Sequence, residues 1–149
     1  MTPDSDPATA TNLPIRSDAD LAWVRHQVRQ FAAEIGFGLV QQTKLVTAAS
    51  ELARNTLVHG GGGQAKITAL VDGSTRGLRL SFIDTGPGIR DVELAMRDGY
   101  TTGGGLGLGL SGARRLVDEF TIDTKPGEGT VVTLVAWATG VAAARPESR

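Results

Sequence analysis

The stretch Leu78-Arg79-Leu80-Ser81-Phe82-Ile83-Asp84-Thr85-Gly86-Pro87-Gly88 changes character at Asp84. Residues 78–83 read as an apolar strand, and Thr85 to Gly88 as a tight turn that stops it. The Asp between them has two readings. Its carboxylate can bond the amides of its own turn, or, from a strand end, accept a hydrogen bond from a purine amino group. Upstream, Ala65 to Val71 alternates as a second strand, and Asp72 to Gly77 reads as the hairpin turn that joins the two. A short turn makes the pair antiparallel.

Outward from this hairpin the chain alternates helices and strands. Asn12 to Arg16 reads as an edge strand, because Pro14 cannot donate to a ladder. Ser17-Asp18 caps a helix whose Leu21, Val24, Val28, Phe31 and Ala32 share one face, and Gly36 and Gly38 end it. A second helix is predicted from Leu39 to Val58, with Leu45, Ala49, Leu52 and Ala53 as its buried stripe, joined by Val46 and Leu57. After the hairpin come a short helix from Asp91 to Arg97, a glycine-rich segment from Gly99 to Gly109, and a helix over about 108–119 with Leu110, Ala113, Leu116 and Val117 inward. Phe120 to Thr124 and Thr130 to Ala138 are predicted strands around the turn 125–129. The fold class that follows is α+β: a two-layer α/β sandwich whose sheet is mixed but mostly antiparallel, with the helices on one face. One domain over 12–138 is expected, between loose tails at 1–11 and 139–149.

Composition removes several function classes. The chain has 15 Lys+Arg against 16 Asp+Glu, a formal net charge of −1, and no Cys. Zinc fingers and disulfide scaffolds are excluded, and the balanced charge lacks the basic stripe of a nucleic-acid binder. No run of apolar residues is long enough to span a membrane, and the first residues do not read as a signal peptide. The expectation is a cytoplasmic protein with no nucleic-acid or membrane partner. What needs a reason is glycine: fifteen of the 20 fall between Gly60 and Gly112, although each costs backbone entropy on folding.

Three groups of residues carry candidate chemistry. Glu51, Asn55 and His59 are spaced by four on the second helix, so they share a face, opposite the apolar stripe. Such a face is either simply solvated or a carboxylate and an amide aimed together at a ligand. Asp84 with Gly86 and Gly88 forms the second group. The third is Gly105-Leu106-Gly107-Leu108-Gly109, which runs into a helix, where unpaired amides suit phosphate. Gly107 to Gly112 also spells G-x-G-x-x-G, but no strand precedes it and too little chain follows for a dinucleotide-binding unit, so that match is accidental.

In order and spacing these motifs resemble the GHKL ATPase superfamily, with its Bergerat ATP-binding fold. The helix motif E-x-x-x-N is met by Glu51 and Asn55, D-x-G-x-G by Asp84, Gly86 and Gly88, the glycine lid by Gly105 to Gly109, and the closing G-T by Gly129-Thr130. The stretches Ala49 to Asn55, Asp98 to Thr102 and Arg115 to Phe120 look like the RsbT-like branch, small serine/threonine kinases of anti-sigma regulatory pathways. The resemblance implies ATP and Mg²⁺. Glu51 would be the general base, Asn55 the Mg²⁺ ligand, and Asp84 the partner of the adenine amino group, supported by Thr130. The backbone amides of Gly105, Leu106, Gly107, Leu108, Gly109 and Leu110 would hold the phosphates, with Thr101, Thr102 and Ser111 as weaker candidates. Implied partners are STAS-domain antagonist or scaffold proteins of a stress-sensing complex and a PP2C-type phosphatase that the released kinase activates; a sigma factor held directly, or a non-catalytic ATP-dependent switch, is the alternative. The lid carries no Lys or Arg; the nearest cations in sequence are Arg97, Arg114 and Arg115. Gly60 to Gly63 is expected to be a flexible connection.

Overall fold

A computed structural model describes residues 10–97 and 109–139. Within them the order is β1 (Thr11–Ile15), α1 (Asp18–Glu34), α2 (Leu39–Val58), β2 (Gly63–Asp72), β3 (Thr75–Asp84), α3 (Val92–Ala95), α4 (Gly109–Arg115), β4 (Glu119–Lys125) and β5 (Gly129–Trp137). The strands form one five-stranded sheet in the order β1-β2-β3-β5-β4. Every neighbouring pair among the described residues is antiparallel, the pairing expected to predominate.

The sheet buries one face. Leu13 and Ile15, Ala65 and Ile67, Leu78, Leu80 and Phe82, and Val132, Leu134 and Ala136 alternate along their strands and meet in a single core, as the two-residue period of a strand requires. Register stacks them in rows, with Leu80 opposite Leu134 and Phe82 opposite Val132. The helices supply the other half of the core: Val24, Val28 and Ala32 from α1, and Leu45, Ala49, Leu52 and Ala53 from α2. Each fully buried Leu, Val or Ile contributes roughly 1.5–3 kcal/mol, so this layer is the main stabilising term and fixes α2 across the sheet.

Local signals set the element ends. The Ser17 hydroxyl accepts from Asp20 N–H at 3.2 Å, and the Asp20 carboxylate accepts from Arg16 N–H at 2.8 Å, which together satisfy amides at the start of α1. At its other end Gly36 adopts φ +101°, and Phe37 N–H bonds back to Ala32 O. Among the described residues β1 pairs only with β2, so Pro14 sits on an edge as expected.

Several predicted bounds move. Thr11, placed in the N-terminal tail, pairs with Ile67 as the first residue of β1. The β2–β3 turn shrinks to Gly73-Ser74, because Thr75 to Gly77 already pair with Asp72 to Leu70. Helix α3 covers only Val92–Ala95, with Asp91 as its cap. Helix α4 stops at Arg115 rather than near residue 119, since Asp118 N–H bonds to Val135 O and Glu119 opens β4. Leu116 and Val117 still pack on the core from beyond the helix end. Thr139, assigned to the C-terminal tail, donates its N–H to Gln41 Oε1, and Gln41 Nε2 donates to Trp137 O. The rest of both expected tails, 1–9 and 140–149, and the segment 98–108 lie outside the described residues. No helix among the described residues is long and apolar enough to cross a membrane.

Candidate functional site

A cavity of about 420 Å³ opens between α2, the loop after β3, α3, the start of α4 and the start of β5. Leu52, Phe82, Ile89, Leu94, Ala95 and Val132 give it an apolar interior, and Glu51, Arg54, Asn55, His59, Asp84 and Thr130 bring polar groups to it. An apolar cleft with a few convergent polar groups is the usual form of a small-molecule site.

Helix α2 supplies one wall. Glu51 is 7% exposed, so the Glu51–Asn55 face is a cavity wall and not a solvated helix surface. The fourfold spacing had placed it opposite the apolar stripe; α3, α4 and the β3 loop cover it instead. Among the described residues the Glu51 carboxylate has no hydrogen-bond or ion-pair partner. A buried, unpartnered carboxylate costs stability, which is expected where a side chain is kept for chemistry.

The end of β3 supplies the opposite wall. Asp84 is flanked by both neighbours in the sheet, Gly63 of β2 and Thr130 of β5. The reading of Asp84 as a partner of its own turn holds. Its Oδ1 accepts from Gly86 N–H at 2.9 Å, which holds the carboxylate, while the residue also lines the cavity. Gly60 lies against the same carboxylate, and Gly63 against Ile83 O, so closely that a Cβ at either would overlap. Gly60 and Gly63, at the two ends of the run, are thus packing contacts around Asp84 and the entry to β2, whereas a Cβ at Gly61 would meet open space. Four glycines in a row carry no such information in sequence, because the contact is to a strand twenty residues away.

Thr124 of β4, which sequence reasoning missed, does not line the cavity but braces residues that do. Its hydroxyl accepts from Ile89 N–H at 2.9 Å and donates to Gly129 O at 3.1 Å, and it lies 2.9 Å from Thr130 Oγ1. Since Thr124 has one proton, spent on Gly129 O, the Thr130 hydroxyl donates to Thr124. That leaves Thr130 with acceptor lone pairs for the cavity side, next to Asp84. The same cluster ties down the loop 85–89: Gly127 N–H donates to Pro87 O at 2.7 Å, and Gly88, at φ +78°, passes so close to Lys125 O that a side chain would not fit.

Of the residues named from sequence, Glu51, Asn55, Asp84, Gly88, Gly109, Leu110 and Thr130 meet around the cavity. Gly86 acts through Asp84, and Ser111 is buried in α4. Thr101, Thr102, Gly105, Leu106, Gly107 and Leu108 lie outside the described residues. Arg97, Arg114 and Arg115 do not line the cavity, whereas Arg54 and Arg90 do. Arg54 was legible in principle, as the residue between Glu51 and Asn55 and three along from Glu51 on the helix.

For a divalent cation the donor set is sparse. Asn55 offers one amide oxygen, and no group of three His, Asp or Glu side chains gathers among the described residues. This fits Mg²⁺ carried in by phosphates and topped up by one or two protein oxygens, and does not fit a resident metal cage.

The model of histidine kinase-, DNA gyrase B- and HSP90-like ATPases matches residues 40–139, from the start of α2 to the end of β5. The chain belongs to this ATPase family. It is 43% identical over 123 residues to the serine/threonine-protein kinase RsbT of Bacillus subtilis, covering 83% of this chain and 92% of that one. It is 30% identical over 122 residues to an anti-sigma F factor of a Thermoanaerobacter species, covering 78% and 84%. Among solved structures, the RsbU and RsbW domains of a Mycobacterium tuberculosis protein align with a TM-score of 0.60 at 25% identity, over 85% of this chain and 31% of that longer one. The SiaB–SiaC complex of Pseudomonas aeruginosa shares the fold, with a TM-score of 0.50 at 14% identity over 86% of this chain and 88% of that one. This ATPase-family member is RsbT-like, and the enzyme class of that relative is protein serine/threonine kinase.

Proposed function

We propose that this chain is an ATP-dependent protein serine/threonine kinase of a partner-switching module in the cytoplasm. The observation that carries the reading is the buried Glu51 carboxylate, which shares one cavity with Asn55 and Asp84. The adenine lies in the apolar half with its amino group on Asp84, and Thr130 accepts from that amino group or from a bridging water. The backbone at Gly109 and Leu110, which lines the cavity, would face the phosphates; the family resemblance adds the amides of Gly105 to Leu108 and the side chains of Thr101, Thr102 and Ser111 as further contacts it implies. Asn55 would hold Mg²⁺ against the phosphates, which would neutralise charge on the transferred group. Glu51 takes the proton of a Ser or Thr hydroxyl on the protein substrate. The oxygen bonds to the γ-phosphorus, the bond to the β–γ bridging oxygen breaks, and ADP leaves with that electron pair.

Similarity to RsbT supports a STAS-domain antagonist or scaffold as the substrate, with a PP2C-type phosphatase as the partner engaged after release. Similarity to an anti-sigma F factor supports a second reading, in which the same site serves a kinase that holds a sigma factor directly. Transfer from γ-labelled ATP to a STAS protein tests the first. Glu51→Ala is expected to keep ATP binding and lose transfer by roughly 10²–10⁴-fold; transfer at the wild-type rate refutes the base assignment. Asn55→Ala is expected to lose the Mg²⁺-dependent part of ATP binding. Capture of a sigma factor with no STAS partner favours the second reading.

A further inference from the structure

The glycine lid has no cation, and none of the three arginines nearest to it in sequence lines the cavity. The transferred phosphoryl group nevertheless carries charge that positioned groups must meet. Two other arginines reach the cavity. Arg90 is exposed and belongs to the loop that follows Asp84, on the nucleobase side. Arg54 is half-buried on α2, next to Asn55 in sequence and three residues after Glu51, so it stands beside the two residues that mark the phosphate end. Among the described residues neither Arg54 nor Glu51 has an ion-pair or hydrogen-bond partner, so the two do not neutralise each other. A half-buried guanidinium left unpaired in a cavity is a binding group for an anion, and its fork matches phosphate oxygens.

We propose that Arg54 binds the terminal phosphate of the nucleotide and sets the preference of the site for a nucleoside triphosphate over a diphosphate. This rests on the cavity being the ATP site. Lying on the rigid helix α2, Arg54 keeps a fixed position relative to Glu51 and Asn55. A diphosphate lacks the γ-phosphate, the group that Arg54 would bind.

Equilibrium binding of fluorescent ATP and ADP to the full chain in Mg²⁺ tests this without any protein substrate. Arg54→Gln is expected to weaken ATP roughly 10- to 100-fold and to leave ADP within about twofold. Arg54→Lys should fall between, since an ammonium keeps the charge but loses the fork. An unchanged ATP-to-ADP ratio in Arg54→Gln overturns the proposal. An equal loss for both nucleotides overturns it too, because it assigns Arg54 to the shape of the cavity. If the wild-type chain binds neither nucleotide, the reading of the cavity as an ATP site fails first and this inference falls with it.

Discussion

Gly63 opens β2 directly opposite Asp84. A Cβ at Gly63 would lie 1.9 Å from Ile83 O and 3.0 Å from Thr56 Cγ2. Carbon and carbonyl oxygen do not approach much below about 3.3 Å, so Gly63→Ala forces the ends of β2 and β3 apart by more than about 1 Å. Ladder hydrogen bonds weaken steeply beyond about 3.2 Å. Losing one or two of them at about 1 kcal/mol each, with the cost of overpacking, gives a destabilisation of roughly 2–4 kcal/mol. At about 2–4 °C per kcal/mol for a chain near this size, the melting temperature should fall by roughly 4–16 °C. Gly61→Ala is the matched control: its φ is +77° but nothing lies within 4 Å of its Cβ, so only backbone strain of about 1 kcal/mol is added. Thermal melts followed by circular dichroism, with ATP titrations on the same samples, should separate the two variants. Because Asp84 moves with the strand end, Gly63→Ala should also lose more ATP affinity than Gly61→Ala. Equal melting temperatures and equal ATP affinities for the two would refute the account of this turn.

Three further outcomes follow from the hydrogen bonds. Asp84→Asn can keep the bond from Gly86 N–H through its amide oxygen but loses the charge, so calorimetry should show the fold intact and ATP weakened by roughly 10- to 100-fold; undiminished affinity would remove Asp84 from the nucleobase contact. Thr124→Val leaves Ile89 N–H and the Thr130 hydroxyl unpaired, at roughly 1–3 kcal/mol, and hydrogen exchange at the Ile89 amide should speed up; unchanged protection there would show that Thr124 does not hold the loop. Ser17→Ala removes the α1 cap at about 1 kcal/mol in urea melts and should leave ATP affinity unchanged, since α1 does not line the cavity.

Elements with a local cause were readable from the chain. Ser17 announced the start of α1, Gly36 its end, and the stripe Leu45, Ala49, Leu52, Ala53 the buried face of α2. The bounds that slipped were those set by strand pairing or by a bond to another strand. The β2–β3 turn tightened because strand pairing continued through Thr75, and α4 ended early because Asp118 bonds to β5. In the same way Glu51, Asn55, Asp84 and Thr130 stood out by motif, whereas Thr124 did not, since its role rests on the bond from Ile89 N–H, far back in the chain.

By itself the sequence determined most of the helices and strands and the hairpin that ends at Asp84. Each of these rests on interactions within a few residues along the chain, through capping, periodicity and turn chemistry. Tertiary structure decided which faces were hidden and what stood beside them. It decided between the two readings of the Glu51–Asn55 face by making it a cavity wall, and it set Gly60 and Gly63, in a run expected to be a flexible connection, against Asp84 and Ile83. It also brought Arg54, rather than Arg97, Arg114 or Arg115, to the cavity. These outcomes depend on packing between elements far apart in sequence, where the available space decides which side chain can reach the ligand.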